Sequence, residues 1–144
     1  MTTTSSRVTT PTTGTDATRA TTPAQAADAS DVLAVAAKYV GVPYLYGGTT
    51  PTGFDCSGYV KYVYATLGIS LPRTADQQMR ATTQVPRSQA RPGDLVSFVS
   101  GGRVYHNGIY AGNGMMYDAP KTGGFVSRRA IWTATVVYTR VSRS

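Results

Sequence analysis

The apolar residues of this chain change their spacing once, at Arg91-Pro92-Gly93-Asp94, and that change limits the fold more than any other feature. Before it, Tyr59, Val60, Val63, Tyr64 and Leu67 recur at the i, i+1, i+4, i+5, i+8 spacing of an amphipathic helix. After it come short runs rich in β-branched and aromatic residues, separated by glycine, asparagine and proline turns. Residues 94–99, 104–110, 115–119, 125–128 and 135–141 each read as a strand. Helices first and a strand meander afterwards predict an α+β domain, with N-terminal helices packed on a central antiparallel β-sheet of about five to six strands.

The helical half has its own punctuation. Ser30 or Asp31 is placed to cap a helix over 31–40, with Val32, Val35, Ala36 and Tyr39 on one face and Gly41 and Pro43 ending it. Tyr44-Leu45-Tyr46 reads as a short strand leading into a glycine-rich loop, Gly47 to Gly53. The next helix spans 56–67 and stops at Gly68. Thr74 caps a short helix through Met79, and a loop follows to Arg91. Residues 1–29 are Thr-, Ser-, Ala- and Pro-rich, too poor in large apolar side chains to offset the entropy of ordering. They are expected to form a disordered arm or linker, with 24–29 the stretch that could instead extend the first helix. The folded domain is expected over 30–144.

A chain of 144 residues, 41% of them hydrophobic, builds one modest domain. No apolar run approaches the length of a membrane span, and the N-terminus lacks the apolar core of a signal peptide. The net charge is +7, and all of the surplus lies beyond residue 30, because Arg7 and Arg19 are balanced by Asp16 and Asp28. A basic domain favours an anionic partner. The arginines are scattered, however, with no basic helix or zinc-finger spacing, so nucleic acid is not the expected partner.

The chemistry centres on two residues that each occur once, Cys56 and His106. A single cysteine excludes an intramolecular disulfide. Cys56 sits where the loop becomes a helix, and unpaired amides and the helix dipole there favour a thiolate. A buried inert thiol and an ordinary strand histidine are the competing readings. If both residues are used, imidazole takes the thiol proton and returns it to a leaving amine. Asp118 is the candidate to orient the ring, since the tight Gly112-Asn113-Gly114 turn pairs its strand with that of His106. Asp94 competes, but Pro-Gly-Asp reads as a structural turn. One Cys and one His are too few for a tetrahedral zinc set, so no metal is expected.

Six segments together resemble the NlpC/P60 domains: Tyr44-Leu45-Tyr46-Gly47-Gly48, Gly53-Phe54-Asp55-Cys56-Ser57-Gly58, Leu71-Pro72-Arg73-Thr74, Pro92-Gly93-Asp94-Leu95-Val96, His106-Asn107-Gly108-Ile109-Tyr110 and Gly112-Asn113-Gly114. Their order and spacing match over residues 31–141. The resemblance implies a papain-like fold and a cysteine endopeptidase that cuts peptidoglycan stem peptides, at the D-γ-glutamyl–meso-diaminopimelate bond. It implies Cys56 as nucleophile, His106 as base and Asp118 as the third polar group, with Tyr44, Asp55 and Ser57 binding substrate. No cofactor is implied. The expected protein is a monomer in the cell wall or outside the cell, held near anionic wall polymers by its basic surface. An inactive wall-binding module and an amidase or acyltransferase of the same fold are the alternatives.

One departure from the family pattern stands beside the histidine, where Asn107 replaces an apolar residue. Adjacent strand residues face opposite ways, so Asn107 is expected to point away from the site into packing. Asn-Gly is also a hairpin signal. The strand is expected to run on through it, because the later Gly-Asn-Gly is the better turn.

Overall fold

The structure, a computed structural model, describes residues 28–142, so most of the arm expected over 1–29 lies outside the described residues. Helix α1, Ala29–Lys38, is capped two to three residues before the expected position. Asp28 performs that role: its carboxylate accepts from the amides of Ser30 (2.9 Å) and Asp31 (3.4 Å), and its carbonyl accepts from Val32. Ser30 and Asp31 are thereby drawn into the first turn. Val32 and Ala36 are the buried face.

Tyr44-Leu45-Tyr46 does not form the expected strand. Only isolated bridges occur there, Pro43 with Phe125 and Tyr44 with Phe54. The chain instead makes a small hairpin of β1 (Thr49–Thr50) and β2 (Gly53–Phe54). Phe54 is fully buried among Tyr39, Tyr59 and Tyr62, with ring centroids 5.4–6.0 Å apart. Burying a side chain of that size is worth about 1.5–3 kcal/mol, and it fixes how the backbone enters the next helix.

Helix α2, Cys56–Thr66, buries Tyr59, Val60, Val63 and Tyr64, as its periodicity predicts. Both tyrosines satisfy their hydroxyls when buried. Tyr59 donates to the Ala36 carbonyl of α1 (2.7 Å) and Tyr64 to the Gly93 carbonyl of the turn before the sheet. Helix α3, Ala75–Arg80, has the expected Thr74 cap, completed by Gln77 as a capping box.

The sheet has six strands, all paired antiparallel: β3 (Thr83–Val85), β4 (Leu95–Ser100), β5 (Arg103–Gly112), β6 (Met115–Asp118), β7 (Ser127–Ala130) and β8 (Val136–Arg140). Their spatial order is β3-β8-β4-β5-β6-β7. β3 falls in a stretch that reads as loop, because three polar-to-apolar residues carry no periodic signal and only pairing with β8 makes them a strand. The seventh strand begins at Ser127, since Phe125 is spent on its bridge to Pro43. Leu95 and Ile109 pack with the buried residues of α1 and α2 in the main core. Val96, Phe98, Met116 and Tyr138 form a smaller cluster, in keeping with strand alternation. No helix among the described residues is long and apolar enough to cross a membrane.

Candidate active site

Cys56 is the first residue of α2, and its surroundings explain why. Asp55 caps the helix by accepting the Gly58 amide (2.7 Å) on its side chain and the Tyr59 amide (3.0 Å) on its carbonyl. Gly58 is required by close approach, because a Cβ there would lie 2.0 Å from the Gly48 carbonyl oxygen. The Gly47–Gly48 loop therefore lies directly against the first turn. Cys56 is a free, half-buried thiol at that turn.

Opposite it, β5 and β6 place His106 and Asp118 on one face. Ile109 pairs with Tyr117 and Tyr110 with Met116, and the register continued sets Gly108 opposite Asp118, with His106 two residues further along on the same face. Gly108 makes the diagonal contact possible, since a Cβ there would come within 3.0 Å of the Asp118 Cβ. His106 Nε2 lies 2.7 Å from Asp118 Oδ2. Asp118 is wholly buried, and Arg129 of β7 holds it bidentately, Nε to Oδ1 at 2.8 Å and Nη2 to Oδ2 at 2.6 Å. Trp132 then closes the outer side. It stacks on Phe98 at 4.2 Å, lies 5.7 Å from the His106 ring, and faces the Arg129 guanidinium at 4.8 Å.

The electrostatics follow from these contacts. Burial alone would depress the His106 charge, but hydrogen bonds to Asp118 and Cys56, and the negative charge of both, push its pKa up to about 9. Burial would likewise raise Asp118, yet the Arg129 and His106 contacts hold its carboxyl below the usual carboxylate range. These contacts favour the imidazolium form of His106 beside an ionised Asp118.

On the other side of Cys56 lie the remaining sequence candidates. Tyr44 is half-buried, and burial, then the charges of Cys56 and Asp55, raise its pKa. Asp55 and Ser57 are joined by Arg73, which donates to Asp55 Oδ2 at 2.7 Å, to Oδ1 at 3.2 Å and to Ser57 Oγ at 2.9 Å. Asp94, the competitor for the third role, is committed elsewhere. It accepts the Arg91 amide and pairs with Arg140.

Asn107 faces away from His106, as strand alternation requires, and is completely buried against Gln78 of α3. Sequence reasoning missed Arg129, Trp132 and Gln78 altogether, and saw Arg73 only as part of a motif. None carries a local signal, because each acquires its role by contact across elements.

A model of the NlpC/P60 family matches residues 41–141. The chain belongs to the NlpC/P60 family. Within that family it is 53% identical over 92 residues to the probable endopeptidase p60 of Listeria monocytogenes, covering 64% of this chain and 19% of that protein. It is 40% identical over 96 residues to the gamma-D-glutamyl-L-lysine dipeptidyl-peptidase of Bacillus subtilis, covering 65% of this chain and 32% of that protein. The chain thus spans a fifth to a third of the length of these relatives. The fold matches the NlpC/P60 domain of the peptidoglycan hydrolase SagA, with a TM-score of 0.73 and 34% identity over 80% of this chain and 99% of that one.

Proposed function

We propose that this NlpC/P60 domain is a cysteine endopeptidase that hydrolyses peptidoglycan stem peptides at the D-γ-glutamyl–meso-diaminopimelate bond. The observation that carries the reading is the continuous chain of contacts from Cys56 through His106 and Asp118 to Arg129. The names of the relatives, an endopeptidase, a γ-D-glutamyl peptidase and a peptidoglycan hydrolase, support the substrate class.

With Asp118 on Nε2, His106 has Nδ1 left for the thiol. Cys56 Sγ attacks the γ-carbonyl carbon, and the carbonyl electrons move onto oxygen. The Cys56 amide at the helix start is the proposed oxyanion donor. As the C–N bond breaks, the imidazolium gives its proton to the departing amine. Water, deprotonated by the same ring, then attacks the thioester, expels the thiolate and releases the acid. Asp118 holds the tautomer and balances the imidazolium charge, and Arg129 holds Asp118. Tyr44, Asp55 and Ser57, with Arg73, form the wall on the acyl side. No cofactor enters these steps. The domain is proposed to act as a monomer in the wall or outside the cell, with its surplus positive charge keeping it near anionic wall polymers.

The test is mass spectrometry of meso-diaminopimelate stem peptides incubated with the wild type and with Cys56→Ala. Fragments split between D-glutamate and the diamino acid, formed by the wild type alone, are expected. Intact peptides in both samples, with a reduced thiol and a folded domain, would overturn the proposal in favour of a binding module or another amide.

A further inference from the structure

The acid that protonates a leaving amine must touch it, so the amine-side residue of the substrate lies next to His106. A cavity of about 320 Å³ is walled by His106 itself, with Tyr105, Pro120, Lys121, Arg129 and Trp132. Its composition is specific. Tyr105 and Trp132 are large aromatic rings, 56% and 51% exposed, and both line the cavity. Arg129 spends Nε and Nη2 on Asp118, and its guanidinium plane lies over Trp132. Lys121 is exposed at the rim, and no acidic side chain pairs with it among the described residues. Asp118, wholly buried and outside the lining of this cavity, is already matched by His106 and Arg129. Lys121 is therefore a surplus positive charge beside an apolar wall.

Resting on the hydrolase reading above, we infer that this cavity binds the leaving diamino acid, its aliphatic stem along Trp132 and Tyr105 and its side-chain carboxylate at Lys121. The ligand class is an α-amino acid with a second carboxylate at the far end of an aliphatic side chain. meso-Diaminopimelate has that group. L-Lysine, whose side chain ends in a bare ammonium, does not, and would place a cation beside Lys121. Like charges at close range discriminate as effectively as the attractive pair does. The far end of meso-diaminopimelate is a zwitterion, so amidation of its side-chain carboxyl removes the attraction and leaves an unmatched ammonium, and the amide should behave like the lysine peptide.

The experiment compares three tripeptides, L-Ala-γ-D-Glu followed by meso-diaminopimelate, its side-chain amide or L-lysine, as substrates of the wild type, Lys121→Gln and Lys121→Glu. A charge-assisted contact of this kind predicts about a 10-fold preference in kcat/KM for the free diaminopimelate peptide over the lysine peptide. Lys121→Gln should bring that ratio close to one, and Lys121→Glu should invert it. Equal cleavage of all three by the wild type, or an unchanged ratio in both variants, would overturn the inference. Binding of the same peptides to Cys56→Ala, followed by calorimetry, separates the two levels. If the wild type cleaves none of them yet Cys56→Ala binds the diaminopimelate peptide in a Lys121-dependent way, the subsite stands and the hydrolase reading falls. Binding without discrimination would remove the subsite whatever the activity.

Discussion

Asn107 Nδ2 donates to Gln78 Oε1 across 2.8 Å, and both side chains are fully buried. Gln78 Nε2 then donates to the carbonyls of Ser57 (3.0 Å) and Pro72 (2.9 Å). The residue after His106 is thus joined, through one side chain of α3, to the residue after Cys56. Such a link sets the distance between α2 and β5 without touching substrate, and it gives the unusual Asn107 a physical reason.

Asn107→Ala should cost about 1–3 kcal/mol in stability, because it strands the buried Gln78 oxygen. Denaturant unfolding of Asn107→Ala, Gln78→Ala and the double variant should show coupling of about 0.5–3 kcal/mol, as for partners in one network. Strictly additive losses would show that the bond does not tie the two elements together.

His106 should titrate far above an ordinary histidine, with a midpoint near 9 by NMR. Cys56→Ala removes one of the supporting contacts and should lower that midpoint, and Asp118→Asn should lower it too. The sign for stability follows. A folded pKa raised above the unfolded value of about 6.5 stabilises fully below pH ~6.5, and the contribution is lost as pH rises through 9. Unfolding free energies measured from pH 6 to 10 should therefore decline more steeply in the wild type than in Asp118→Asn. Parallel profiles would contradict the assignment.

Arg129→Ala leaves the buried Asp118 with one partner in place of two. Loss of hydrogen bonds to a charged group should cost about 1.5–3 kcal/mol. The Asp118 carboxyl should also rise toward the usual range, which acid unfolding reads directly. Its lowered pKa stabilises at neutral pH, and that contribution disappears as pH falls through the folded value. The variant should thus lose less than the wild type on acidification. If hydrolysis is the activity, kcat should fall more than KM rises, because Arg129 acts on the ring through Asp118.

Gly108→Ala puts a methyl 2.9 Å from the Tyr117 carbonyl and 3.0 Å from the Asp118 Cβ. Overpacking at such a site costs about 1–3 kcal/mol. Displacing Asp118 should also return the His106 midpoint toward its ordinary value. A stable variant with an unmoved His106 titration would show that the diagonal contact tolerates a side chain.

The local patterns carried a large share of this structure. The periodicity of 59–67 places α2, the Thr74 signal places α3, and the alternating runs after Asp94 place most of the strands, because short-range sterics and burial set those elements. Cap choice was less visible: Asp28, Ser30 and Asp31 are all capping residues, and only the position of the chain selects Asp28. β3 required a partner strand before it was a strand at all.

For the site, the single cysteine and single histidine, with the turn at 112–114, were enough to nominate Cys56, His106 and Asp118. Sequence spacing limits which residues a hairpin can align, so Asp118 was within reach of His106 on local grounds. The tertiary structure alone decided what surrounds them. Arg129 meets Asp118 across β6 and β7, Trp132 covers the ring from beyond β7, and Arg73 and Gln78 arrive from outside the helix and strands that carry Cys56 and His106. Those contacts join residues far apart in the chain, and their free energy appears only after the sheet and helices have packed. No local preference records it.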